Sequence, residues 1–182
     1  MDIVKHIKQH TENLQNGLIA TSSEQRQNLK VTALGFYSLL PNFEEVVSKY
    51  IKVQIDHEQL IVDIKNENVE NYQKESEKSN EEVDVYADDY EEPEQIEIFI
   101  LDAFDNLVSD TKNIESLVGL FIGIIDTLDY YENFSDEPGY WNNLLDKEVA
   151  FQNEILNTLK TKEIIDPSIY QKRYSNVELN DI

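Results

Sequence analysis

The chain has no cysteine among its 182 residues. That removes disulfide scaffolds, thiolate metal sites and cysteine nucleophiles in one step. Glycine is scarce, with five residues, and no phosphate-cradling Gly-rich loop or nucleophile elbow occurs. Basic residues are also few, 15 Lys and Arg against 37 Asp and Glu. No basic patch exists that could displace counterions from phosphates, so direct nucleic-acid binding and attachment to an anionic membrane are not expected. Long apolar runs are missing too. The longest, Leu117 to Ile125, is nine residues between Glu115 and Asp126, too short to span a bilayer. The first fifteen residues alternate apolar and polar types and lack the apolar core of a secretory signal, which fits a cytoplasmic setting.

What is present is enough for one globular domain. Apolar residues make up 40%, and seventeen Phe and Tyr supply bulk for a core. The net charge of −22 is unevenly spread. Residues 67–97 hold thirteen acids and two bases, and residues 98–147 ten and two, whereas residues 1–66 are nearly balanced. Such a field attracts cations and basic proteins and speeds encounter with them.

Periodicity indicates a mainly helical single-domain bundle of about five to six helices. Ile3, Val4, Ile7, Leu14 and Leu18 share one side of a first helix. Ser22 or Ser23 can cap a second that ends at Pro41, and Asn42 with Glu45 marks the start of a third. Residues 53–64 suit a helix or, paired with 83–86, a small β-hairpin. From 66 to 95 apolar residues thin out into a long acidic connection. Two strong helices follow. In the first, Ile96, Phe99, Ile100, Ala103, Phe104 and Leu107 face inward, while Glu94, Asp102 and Asp105 lie outside with Ile98 and Leu101 set among them. In the second, Leu117, Leu120, Phe121, Ile124, Ile125 and Leu128 form the stripe, beside Ser116, Gly119, Gly123 and Thr127, a small-residue row that admits a neighbouring backbone. A last helix runs from about Trp141 to Lys162. Residues 1–165 thus form the domain, with 66–95 connecting within it and 166–182 as a tail without clear period.

No catalytic motif survives inspection. Tyr86-Ala87-Asp88-Asp89 resembles the catalytic hairpin of reverse transcriptases, where paired aspartates hold divalent ions. Here Tyr90-Glu91-Glu92-Pro93 follows instead of an apolar strand, and the chain is too short for a polymerase palm and fingers. His57-Glu58 begins like a zinc-binding HExxH, yet Ile61 occupies the second histidine position. His6 and His10 at i,i+4 read as a solvated pair, and Asp126, Asp129 and Glu132 as a solvated stripe lacking the Glu-x-x-His partners of carboxylate-bridged sites. Neither catalysis nor a metal or cofactor is expected.

The remaining signal is a surface. Acids interleave with Tyr86, Tyr90, Tyr130, Tyr131, Tyr140 and Trp141, and aromatic anchors ringed by charge suit binding hot spots, although about half of such rings belong to the core. The expected contact face comprises Asp84, Tyr86, Asp88, Asp89, Tyr90, Glu91, Glu92, Glu94, Glu97, Ile98, Leu101, Asp102 and Asp105. A second patch holds Asp126, Asp129, Tyr130, Glu132, Asp136, Glu137 and Tyr140. Alternate carboxylates on an extended segment lie about 6.6 Å apart, near twice the ~3.4 Å rise per phosphate, so such a face can imitate nucleic acid. The favoured function is therefore an inhibitor that blocks a nucleic-acid-handling enzyme: an immunity protein against a nuclease toxin, or an anti-restriction or anti-CRISPR protein. Its partner would be a basic protein. An adaptor that binds a partner helix, and a metal-dependent hydrolase built on carboxylates, are the alternatives.

Overall fold

The computed structural model describes residues 3–88, 90–161 and 163–179, with α1 side chains from Ile7 onward. Nine helices occur among them, more than periodicity indicates: α1 (Ile3–Leu18), α2 (Ser23–Tyr37), α3 (Phe43–Ile51), α4 (His57–Lys65), α5 (Glu70–Glu82), α6 (Gln95–Val108), α7 (Ile114–Phe134), α8 (Pro138–Lys160) and α9 (Ile169–Tyr174). They pack into one helical bundle around α7, which touches α1, α2, α6 and α8. No strand forms among the described residues, so the hairpin proposed for 53–64 and 83–86 is absent.

Local chemistry explains most of the boundaries. Ser22 and Gln25 close a reciprocal capping box at the start of α2. Asn42 does stand before α3, but in the left-handed region (φ 58°) and without a side-chain cap bond. The ambiguous 57–65 stretch is helix because Asp56 accepts a hydrogen bond from the Gln59 amide, a cap that a strand would not use. On α6 the buried set is Ile96, Ile100, Ala103, Phe104, Leu107 and Val108, while Phe99, expected inward, is only half-buried and packs edge-on against Tyr130; on α7 all six stripe residues are buried. These two helices follow the 3.6-residue period closely because each buries one apolar face.

The acidic connection of 66–95 contains a 13-residue helix, α5. α5 escapes periodicity because it docks through hydrogen bonds, not through an apolar stripe. Its buried residues are Ser76 and Ser79. Ser79 Oγ donates to the Ile51 carbonyl (2.8 Å), Gln73 Nε2 to the Val108 carbonyl (2.6 Å), and Ser76 Oγ to Asp105. Tyr72 donates to Asp63 (2.8 Å) and meets Phe104 edge-on.

Residues 166–179, which sequence alone suggests are a tail, carry α9, and there Tyr170 and Tyr174 are fully buried. Both phenols donate to one fully buried carboxylate: Tyr170 to Glu148 Oε1 (2.5 Å), Tyr174 to Glu148 Oε2 (2.7 Å). Gln152 Nε2 adds a third bond to Glu148 (2.9 Å) and also donates to the Phe121 carbonyl (2.9 Å). Gln152 Oε1 is therefore the acceptor for His10 Nε2 at 2.8 Å, which fixes the imidazole tautomer with its hydrogen on Nε2. Arg173 Nε lies 3.4 Å from Glu148 Oε2, paired in charge though not aligned for a hydrogen bond. One buried polar cluster thus joins α1, α7, α8 and α9. Burying a charge this deeply requires such satisfaction. His10 is consequently a core residue and not half of a solvated pair; the side chain of His6 lies outside the described residues.

Candidate functional site

Two segments present the acids together with exposed aromatics. The first is the 83–94 loop between α5 and α6. Asp84 Oδ1 accepts from the Tyr86 amide (3.0 Å), an Asx-type turn, and turn bonds from Ala87 to Asp84 and from Tyr90 to Ala87 continue it. This turn projects Tyr86, which is 92% exposed, just after the half-exposed Val83 and Val85. Asp88 and Glu92 point their charge to solvent nearby, while Asp89 lies outside the described residues. The strand that a catalytic hairpin needs is not formed over 85–88, which is turn.

The loop is anchored at its far end. Glu91 bonds Lys49 of α3 at 2.8 Å, and that ammonium holds the Glu91 carboxyl below its usual range. Glu97 accepts from Tyr50 Oη (2.8 Å) and from the Glu94 amide (2.8 Å), the latter half of a capping box that starts α6. Tyr90 sits over a small cleft of about 120 Å³ shared with Leu101, Pro93 and Asp105. Leu101 packs against the core, and Ile98 is half-buried. Neither is the fully exposed apolar position that the outer face of an isolated α6 implies; Leu101 shares its cleft with Ser76 and Ser79 of α5.

The second segment runs from α7 into α8. Asp126, Asp129 and Glu132 line α7, and Asp136 and Glu137 the turn after it. Tyr140 and Phe134 are exposed, Phe134 at 64%. Tyr130 is half-buried between Phe99 and Phe134, whereas Tyr131 and Trp141 stack at 4.5 Å within the core. Half of the six interleaved rings are thus at the surface, and Phe134 is an exposed aromatic that the sequence pattern did not single out.

α6 borders both segments, with Leu101 and Asp105 toward the loop and Phe99 against Tyr130. Two of its neighbouring carboxyls are strained electrostatically. Partial burial, then repulsion from Asp105, raises the Asp102 pKa; partial burial, then Asp129, raises that of Asp126. Both charges also act on the buried Tyr37 phenol, which burial above all holds in its protonated form. The row of small residues on α7 has a different use from the expected one: Tyr37 Oη reaches over Gly123 to the Leu120 carbonyl (2.6 Å), so a side chain, not a backbone, occupies the space.

Among the described residues, no group of three His, Asp or Glu side chains converges as a metal cluster, and no helix is long and apolar enough to cross a membrane. Comparison with protein-family models, with curated proteins and with solved structures returned no match.

Proposed function

We propose that this protein is an acidic inhibitor that binds and blocks a nucleic-acid-handling enzyme by filling its basic groove. The observation that carries the reading is the anchored 83–94 loop: an almost fully exposed tyrosine on a hydrogen-bonded turn, flanked by Asp84, Asp88 and Glu92, on a chain of net charge −22. An aromatic anchor on a preordered turn loses little conformational freedom on binding, and surrounding charge raises the encounter rate with a basic partner. Asp102, Asp105, Asp126 and Asp129 on α6 and α7 extend the same sign of charge away from the loop. The reading makes the protein non-catalytic and places it in the cytoplasm with its target. An immunity protein against a nuclease toxin, or an anti-restriction or anti-CRISPR protein, would have this make-up. The adaptor alternative would rest on Ile98 and Leu101, both partly buried.

The decisive experiment is a panel of purified basic nucleases, screened for inhibition and then titrated across salt. Binding should weaken steeply between about 50 and 200 mM salt, as expected of exposed charges separated by roughly a Debye length of ~10 Å. Asp88→Lys with Glu92→Lys should abolish inhibition while leaving the melting temperature within a few degrees. Asp84 and Glu91 are kept, since Asp84 holds the turn and Glu91 pairs with Lys49. Inhibition that survives this double reversal and Tyr86→Ala would remove the loop from the contact.

A further inference from the structure

The largest chemical anomaly lies away from the acidic face, where α2, the α4–α5 turn and the α6–α7 connection enclose a cavity of about 320 Å³. At its base is Lys30, only 2% exposed although it is a lysine. Lysine is almost never buried so fully without a carboxylate bonded to it. Here its hydrogen-bond acceptors are instead the carbonyl and hydroxyl of a single residue, Ser109, with Nζ to Oγ at 3.1 Å. Ile64, Val69 and Leu107 supply apolar wall. Glu67 and Asp110 stand at the rim; the Glu67 backbone is left-handed (φ 57°), and its carboxylate accepts hydrogen bonds from Thr111 (2.6 Å) and Ser23 (3.3 Å).

We propose that this cavity is a carbonyl-binding site in which Lys30 Nζ captures a small neutral aldehyde or ketone as an imine. A neutral amine has two N–H bonds and one lone pair. With both N–H bonds directed to Ser109, on one side of the nitrogen, the lone pair is left on the other side for a ligand entering the cavity. The nitrogen pair forms the C–N bond as the carbonyl π pair moves to oxygen, and a proton passes from nitrogen to that oxygen. A proton from solvent lets the resulting hydroxyl leave as water, and the nitrogen pair closes the C=N bond of a protonated imine. The protonated imine keeps one N–H for Ser109, and no oxidant or reductant is consumed.

The amine's state suits this chemistry. Desolvation lowers the Lys30 pKa to about 8, against the opposing fields of Asp110 and Glu67. At pH 7 the neutral fraction is then roughly 200 to 300 times that of an ordinary lysine near pKa 10.4. The acidic rim, Glu67, Glu70 and Asp110 against Lys112, selects against anionic carbonyl compounds, and the apolar wall accepts a short alkyl chain.

The test is reductive trapping on the intact folded protein at pH 7, with butanal and borohydride and with pyruvate and borohydride, followed by peptide mapping. The site predicts butylation of Lys30 faster than of any other lysine, and at least about tenfold less labelling of Lys30 by pyruvate. The preference should shrink as the pH is raised toward 10, where surface lysines also deprotonate. Lys30→Arg should abolish the fast label; if that variant does not fold, the wild-type peptide map still decides. Labelling of Lys30 no faster than surface lysines, or only after denaturation, overturns the proposal.

Discussion

Gly123 offers the sharpest test of how the bundle is assembled. A Cβ at this position would stand 2.5 Å from Tyr37 Oη, and 3.6 Å from Cζ of the same ring. The hydroxyl cannot simply retreat, because Tyr37 is 1% exposed and donates to Leu120 O at 2.6 Å. Gly123→Ala therefore overpacks the contact, at about 1–3 kcal/mol, and weakens a buried hydrogen bond, at about 1–3 kcal/mol. The gain of alanine over glycine inside a helix offsets about 1 kcal/mol. A net loss near 3 kcal/mol follows, or a melting temperature lower by roughly 6–12 °C for a chain of this size. Tyr37→Phe alone should lose only about 1 kcal/mol, the net value of one hydrogen bond. In the double variant the offending oxygen is gone and 3.6 Å to the ring carbon is ordinary contact, so most of the alanine penalty disappears. Urea unfolding of the four proteins should thus give a coupling energy of roughly 2–3 kcal/mol. Additive losses would show that the row of small residues on α7 serves some other packing, and the argument from this contact would fail.

Two further outcomes follow from the buried and half-buried charges. Glu148→Ala leaves two phenols, the Gln152 amide and Arg173 without their shared acceptor, so urea unfolding should register a loss of about 3–5 kcal/mol, with Glu148→Gln retaining part of it. For Asp102 and Asp126 the folded pKa is raised, so the protonated form is favoured by folding: their contribution is favourable below the unfolded value of about 3.9 and is lost as pH rises through the folded values. Asn at either position should accordingly stabilise the protein at pH 7, by well under about 1 kcal/mol given the part-exposed setting, and the gain should vanish in thermal melts below pH 4.

How much of the site was legible in sequence depends on what carried each part. The acid distribution was, because charge counts are a local fact; the Tyr86 turn was not, since alternating VDVY suits a strand and only the Asp84 side chain closing on the Tyr86 amide makes it a turn. Phe134 was not: its exposure depends on how α7 meets Tyr130 and α8, and one phenylalanine at a helix end carries no mark of it. Lys30 gave a faint signal, a lone base within an otherwise apolar run of α2, but its acceptor is Ser109, 79 positions away.

By itself the sequence determined the helical class, most of the inward face of α6 and that of α7, a serine cap at residue 22 or 23 and the acidic character of residues 67–147. Each rests on apolar period, local hydrogen bonding or composition, which need no distant partner. Only the tertiary structure decided that α5 is a docked helix and that Tyr170 and Tyr174 close over Glu148. Those elements are held by polar contacts between residues far apart in the chain, and a hydrogen bond, unlike an apolar face, leaves no period in the sequence that makes it.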